Sequence, residues 1–192
     1  MLSFEMPQKG FFWYNSIMVI KGDKVTLRHV RLSDAERFVK WLNDPKVYQY
    51  LQAQARHLTL KKERKWIRDS LKNKTDKRFA IETLEHKHIG VVSLERVEVK
   101  HKRATLGIFI GEKSYWNKGL GTDAARTILK YGFEKMKLHK VELDVFGYNP
   151  RALKVYKRLG FKKEGVKREH NYHKGKFWDV YHMSILDREW KG

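Results

Sequence analysis

Between Leu106 and Phe133 the chain changes its period twice. Leu106 to Ile110 reads as a short apolar strand, and regular pattern is lost through Gly111-Glu112-Lys113-Ser114. Leu120, Ala124, Ile128, Leu129 and Phe133 then recur at close to helical spacing, predicting a helix from Gly119 to Met136. The two elements are joined by Trp116-Asn117-Lys118-Gly119-Leu120-Gly121-Thr122. Its glycines let the backbone approach a ligand closely and take conformations barred to other residues. The first amides of a helix have no partner inside it and point along the positive end of its dipole. An anion suits that place, a phosphate best of all. No third glycine follows at the dinucleotide offset and no GKS or GKT tripeptide occurs, which excludes two familiar phosphate loops. Taken alone, the motif describes a tight helix entry as well as it describes a phosphate site.

A second segment separates the two readings. Asn149-Pro150-Arg151-Ala152-Leu153-Lys154-Val155-Tyr156-Lys157-Arg158-Leu159-Gly160-Phe161 follows the apolar strand Val141 to Phe146. Together the segments resemble the GNAT N-acetyltransferase superfamily. Its coenzyme-A loop reads Q/R-x-x-G-x-G/A, and its next helix reads N-x-x-A-x-x-x-Y-x-x-x-G-F, matched here at Asn149, Ala152, Tyr156, Gly160 and Phe161. The resemblance runs from about Lys24 to Trp190 and is nearest to the branch that acetylates ribosomal-protein N-termini and polyamines. In that branch a tryptophan commonly takes the Q/R position, as Trp116 does here. The resemblance implies an α/β fold: a mixed central sheet of about seven strands, mostly antiparallel, with one parallel pair splayed at the coenzyme site and helices on its flanks. It implies acetyl-CoA as co-substrate, a primary amine as acceptor, direct attack and no metal.

The 192 residues fit one domain. We expect an extension over residues 1–20 and a single acetyltransferase domain over 21–192. The opening stretch has an apolar patch but no basic leader and no small-residue cleavage site, so it is not read as a secretion signal. Its Phe11-Phe12-Trp13-Tyr14 run is too aromatic for a plain disordered tail. It packs on the domain, over the substrate cleft or on a second copy in a homodimer, unless Met18 is the natural start. No apolar run approaches a membrane span. The absence of cysteine excludes disulfides, thiolate zinc sites and a cysteine nucleophile, and agrees with a cytoplasmic enzyme. A formal charge of +20 attracts polyanions such as RNA and repels small polycations, or else reflects a lysine-coated surface.

Along the chain, Val25 to Val30 alternates into a strand, and Ser33-Asp34-Ala35-Glu36 reads as a capping box with Ser33 as N-cap. A helix carrying Phe38, Val39, Trp41 and Leu42 stops near Pro45, a short one follows to about Tyr50, and Thr59 caps a third from Leu60 to Leu71. Arg78–Glu82, His88–Val97 and Ala104–Ile110 form an antiparallel meander. Lys140–Phe146 is then parallel to its predecessor, because a helix joins the two. A helix from Pro150 to Leu159 ends at Gly160, and Phe161–Arg168 pairs with Phe177–Leu186. Trp41, Tyr48, Tyr50 and Trp66 are core or cleft residues.

The resemblance distributes the chemistry. Backbone amides around Lys118, Gly119, Gly121 and Thr122 cradle the pyrophosphate, with Asn117, Leu120 and Ala152 lining it; Lys118 adds charge or is simply solvated. The pantetheine arm pairs with exposed backbone near Phe109 and Ile110, where an amide stabilises the oxyanion. Tyr156 is the candidate general acid for the leaving thiolate, or else a half-buried helix tyrosine. Asn149 contacts pantetheine, caps its helix, or does both. Glu95 and Glu169 are the candidate bases, acting through a water, or are surface ion pairs. Asp179 is read as a structural anchor. The nine histidines form no HxxxH or HExxH pattern. Three functions follow: acetylation of a protein N-terminus, such as a ribosomal protein's; acetylation of a polyamine or aminoglycoside; or a non-enzymatic, RNA-associated role on an acetyltransferase scaffold.

Overall fold

The computed structural model describes residues 18–51 and 57–192; the aromatic run at 11–14 lies outside them. Eight strands form one sheet: β1 (Val19–Lys21), β2 (Val25–His29), β3 (Lys77–Thr83), β4 (His88–Glu98), β5 (Arg103–Ile110), β6 (Lys140–Phe146), β7 (Lys162–His173) and β8 (Lys176–Leu186). Their order is β1-β2-β3-β4-β5-β6-β8-β7. Every neighbouring pair is antiparallel except β5 with β6. The strand beyond the expected seven is β1, which pairs Ile20 with Leu27. Three residues are too few to show a period, so only the completed β2 edge makes this strand visible.

Among the described residues five α-helices flank the sheet: α1 (Ala35–Leu42), α2 (Pro45–Tyr48), α3 (Leu60–Lys72), α4 (Leu120–Lys130) and α5 (Pro150–Arg158). Alternation along the strands divides the interior in two. Ile128 and Leu129 of α4, with Leu153 and Val155 of α5, pack on one face over Leu27, Leu94, Leu106 and Leu143. Phe38 and Trp41 of α1 and Ile67 of α3 pack on the other over Val91, with Phe109 and Trp116 at the margin. Trp41 is therefore core, whereas Trp66 is 45% exposed with the Arg78 guanidinium over its ring. Gly111 lies flat on Trp41: a Cβ there would stand 2.1 Å from the indole, so no larger residue fits without expelling it.

Local corrections follow from tertiary contacts. Ser33 caps nothing. Leu32–Asp34 instead form a 3-10 turn, and the Asp34 carboxylate accepts the Arg31 N–H and both terminal nitrogens of buried Arg28, each at 2.8 Å. An arginine taken out of water needs a carboxylate more than the helix needs a hydroxyl cap. Thr59 does cap α3, accepting the Lys62 N–H at 3.3 Å. The helix expected to reach Met136 ends at Lys130 and continues as one π turn, Tyr131–Lys135. β7 runs past Arg168 to His173 because a register shift between Lys167 and Asn171 lets pairing resume, leaving a two-residue turn at Lys174-Gly175 with φ of 50° and 78°. Among the described residues, no helix is long and apolar enough to cross a membrane.

Candidate active site

The site begins where two parallel strands stop pairing. β5 and β6 share only Arg103↔Lys140, Ala104↔Val141 and Thr105↔Glu142. Beyond that point β5 stays with β4, where Ile108 meets Val92 and Ile110 meets Gly90. β6 stays with β8, where Val145 meets Tyr181 and Phe146 meets Val180. Each partner keeps its own strand, so the backbone of β5 facing the gap is left without a ladder. A cavity of about 450 Å³ fills the wedge, bounded by both strand ends, the loop before α4, the first turn of α4 and one face of α5.

Gly119 is the N-cap of α4 with φ +80°, a conformation that costs a side-chain-bearing residue on the order of 1–2 kcal/mol. It supplies no side-chain cap, and Leu120, Gly121 and Thr122, whose first-turn N–H groups have no partner inside the helix, line the cavity. The first turn is held in place from below. Asp123 is 5% exposed, and its carboxylate accepts the N–H groups of Asp23, Lys24 and Val25 at 3.3, 2.8 and 3.1 Å. That contact also brings the Lys24 ammonium to 3.5 Å from where a Gly119 Cβ would stand. Trp116 lines the cavity and donates its indole N–H to the Ile110 carbonyl at 2.7 Å, while Arg151 covers its ring at 4.8 Å. Arg151, Lys154 and Arg158 present three cations to the cavity. Sequence reasoning passed over them, although their i, i+3, i+7 spacing places them on one helical face.

Of the residues expected to hold the coenzyme, Phe109, Ile110, Trp116, Asn117, Gly119, Leu120, Gly121, Thr122, Asn149, Ala152 and Tyr156 all line this cavity. Lys118 does not; its ammonium lies over the Tyr115 ring at 5.2 Å. Asn149 caps α5, accepting the Ala152 N–H at 3.1 Å. Among the described residues the Tyr156 hydroxyl has no hydrogen-bond partner, and burial pushes its pKa up to about 12.

Neither expected base reaches the cavity. Glu95 accepts the Arg78 Nε–H and the Ser93 hydroxyl, each at 3.0 Å, on the strand behind. Glu169 sits on the exposed outer strand with φ 51°, its N–H given to Asp179 at 2.9 Å, so Asp179 anchors that irregular stretch. The one carboxylate lining the cavity, among the described residues, is Asp144. Burial by itself would raise its pKa, but hydrogen bonds from Lys167 at 2.7 Å and His182 Nδ1 at 2.8 Å outweigh it and hold the group below the usual carboxylate value. The strand Val141–Phe146 alternates Val141, Leu143 and Val145 with two acids, Glu142 and Asp144, and nothing in that alternation says which of the two meets a cavity. The remaining end of the cavity is apolar, lined by Val47, Tyr50, Leu51, Phe109 and Phe146.

Comparison with known proteins agrees with this geometry. Residues 24–162 match the family described as acetyltransferase (GNAT) domain. An uncharacterized N-acetyltransferase, p20 of Bacillus licheniformis, is 30% identical over 178 residues, covering 88% of this chain and 97% of that one. A putative ribosomal N-acetyltransferase of Bacillus subtilis, YdaF, is 33% identical over 103 residues, covering 54% of this chain and 56% of that one. Among solved structures, the spermidine N-acetyltransferase of Vibrio cholerae in complex with CoA and spermine superposes with a TM-score of 0.80 at 25% identity, covering 86% of this chain and 96% of that one.

Proposed function

This chain belongs to the GNAT acetyltransferase family, and on that footing we propose that it acetylates the N-terminal α-amine of a protein, a ribosomal protein being the acceptor class in view. The broader activity is plain: it is an N-acetyltransferase acting on an amine, with acetyl-CoA as donor. Bound acetyl-CoA supplies the activated acetyl group for direct attack. In our reading the free amides of Leu120, Gly121 and Thr122 take the pyrophosphate, and Lys24, Arg151, Lys154 and Arg158 neutralise the remaining phosphate charge. The unpaired edge of β5 near Phe109 and Ile110 holds the pantetheine arm, and one N–H there stabilises the oxyanion, a contribution on the order of 3 kcal/mol. Tyr156 gives a hydrogen bond to the leaving sulfur. Asp144 orients the incoming amine and takes its proton.

The observation that carries the acceptor class is Asp144. A carboxylate held below its usual pKa is a weak base. It cannot strip a proton from an alkylammonium with pKa about 10.4, of which only roughly 0.04% is neutral at pH 7. An α-amine, with pKa about 7.7–8.0, is already about one-tenth neutral there and needs only a proton acceptor during attack. The apolar mouth and the +20 charge point the same way: they suit a monocation beside an apolar side chain, carried among RNA phosphates, and oppose a free polycation. The reading places the protein in the cytoplasm, in electrostatic association with RNA or the ribosome.

The test is thioester consumption with a panel of N-terminal peptides and spermidine at equal concentration. Peptide α-amines should be acetylated faster than spermidine, with the rate rising with pH through a midpoint near 8 and levelling above about pH 9. Asp144→Asn should lower kcat/KM for the amine by about 10²-fold. Spermidine outpacing every peptide would assign the enzyme to small polyamines instead.

A further inference from the structure

We propose that Tyr148, which does not line the cavity, is the positioning residue that sets the acceptor wall against the thioester gap. The proposal rests on the acetyltransferase reading of the cavity and not on which amine is used.

The wall in question is fragile by itself. α2 is a single turn, too short to persist without tertiary support. Its Asp44 cap and buried Val47 hold its start, but the chain beyond it carries Tyr50 and Leu51 into the cavity lining. Gln49 is the C-cap of α2, so its carbonyl is one that the helix leaves without a partner. The Tyr148 hydroxyl donates to that carbonyl at 3.0 Å. The same oxygen accepts the side-chain N–H of Asn171, on β7, at 2.9 Å. One phenol thus ties the acceptor wall to the outer hairpin.

Its ring is fixed as firmly as its hydroxyl. It stacks on Phe146 at 5.0 Å and 8°, and on His173 at 4.2 Å and 11°. Trp178 meets it edge-on at 5.7 Å, and Tyr50 lies 6.2 Å away. Phe146 and Tyr50 are themselves lining residues, and Asn149, the next residue in the chain, caps α5. Tyr148 therefore joins both sides of the gap: the α2 end that would contact the amine, and the β6 end from which the coenzyme helix departs. A residue so placed acts on the distance between acceptor and thioester, and a displacement of about 1 Å is enough to cost a large part of the rate advantage of positioning.

The experiment is steady-state kinetics on the full chain with Tyr148→Phe, which removes both hydrogen bonds and keeps the stacking, using whichever amine the wild type acetylates fastest. The amine KM should rise about five- to tenfold, the effect of one to two ordinary hydrogen bonds, while the acetyl-CoA KM stays within about twofold. Asn171→Ala, at the hairpin and away from the cavity, should move the amine KM in the same direction by less. Calorimetric binding of acetyl-CoA should be unchanged in both variants, which separates a displaced wall from a damaged fold. An unaltered amine KM in Tyr148→Phe, or an equal rise in both Michaelis constants, would overturn the proposal. Failure of the wild type on every α-amine would instead remove the acceptor class proposed above and leave this test standing with another amine.

Discussion

The indole N–H of Trp116 donates to the carbonyl of Ile110 across 2.7 Å, and this bond ties the loop before α4 to the end of β5, where that strand has parted from β6. The carbonyl has lost its partner to the splay, and the indole replaces it. Trp116→Phe should therefore leave a strand-end carbonyl unpaired and release the Arg151 guanidinium that covers the ring. Stability should fall by about 1 kcal/mol. Acetyl-CoA affinity should fall several-fold by calorimetry, with the amine KM little changed.

Gly119→Ala places a methyl group at φ +80°. The strain should cost about 1–2 kcal/mol and lower the melting temperature by about 2–8 °C for a chain of this size. If the first-turn amides hold the pyrophosphate, coenzyme affinity should drop at least tenfold, measured by calorimetry on folded protein. Unchanged affinity would mean that those amides are not used.

Tyr156→Phe should lower kcat by about 10- to 100-fold and leave the acetyl-CoA dissociation constant within about twofold, because the ring remains and only the proton donor is lost. Burial raises the phenol to about 12, so it keeps its proton throughout the working range. The wild-type rate should accordingly show no loss on the alkaline side up to about pH 10 that traces to this group. A basic limb near pH 8 that vanishes in the phenylalanine variant would contradict the role.

Acid stability should depend on Asp34. Burial alone would raise its pKa, but hydrogen bonds from Arg28 and the Arg31 N–H, with the His88 ring 3.3 Å away, outweigh it and hold the carboxyl far below the usual range. A carboxylate depressed on folding stabilises fully above its unfolded value, about 3.9, and loses that contribution as pH falls below it toward the folded value. Asp34→Asn should destabilise by about 3 kcal/mol at pH 7, since it leaves Arg28 buried with Glu82 as its sole carboxylate partner. The variant's stability curve, followed by denaturant melts, should be flatter than the wild type's between about pH 4 and pH 2.

Which residues were legible beforehand follows from the range of the forces involved. Gly119, Gly121, Asn149 and Tyr156 belong to local patterns, a helix entry and a helix face, and such patterns are written in spacing. Asp144 and Tyr148 belong to none. Each matters only because β6 parts from β5 and because the outer hairpin and α2 arrive beside it, contacts spanning 23 to 99 residues of chain. Glu95 was a reasonable choice of base by strand position, but Arg78 had already claimed it.

The amino-acid order alone determined the period of nearly every element, the helix entry with its unpaired amides, and the chemistry available at the helix that follows. Those depend on nearest neighbours, on backbone sterics and on one helical face. Tertiary structure alone decided where the sheet opens, which carboxylate faces the gap and which is spent on an arginine, and what holds the short helix α2 in place. The reason is that burial and hydrogen-bond pairing are settled between strands and helices that meet only when the sheet closes, and no local pattern records which partner will win.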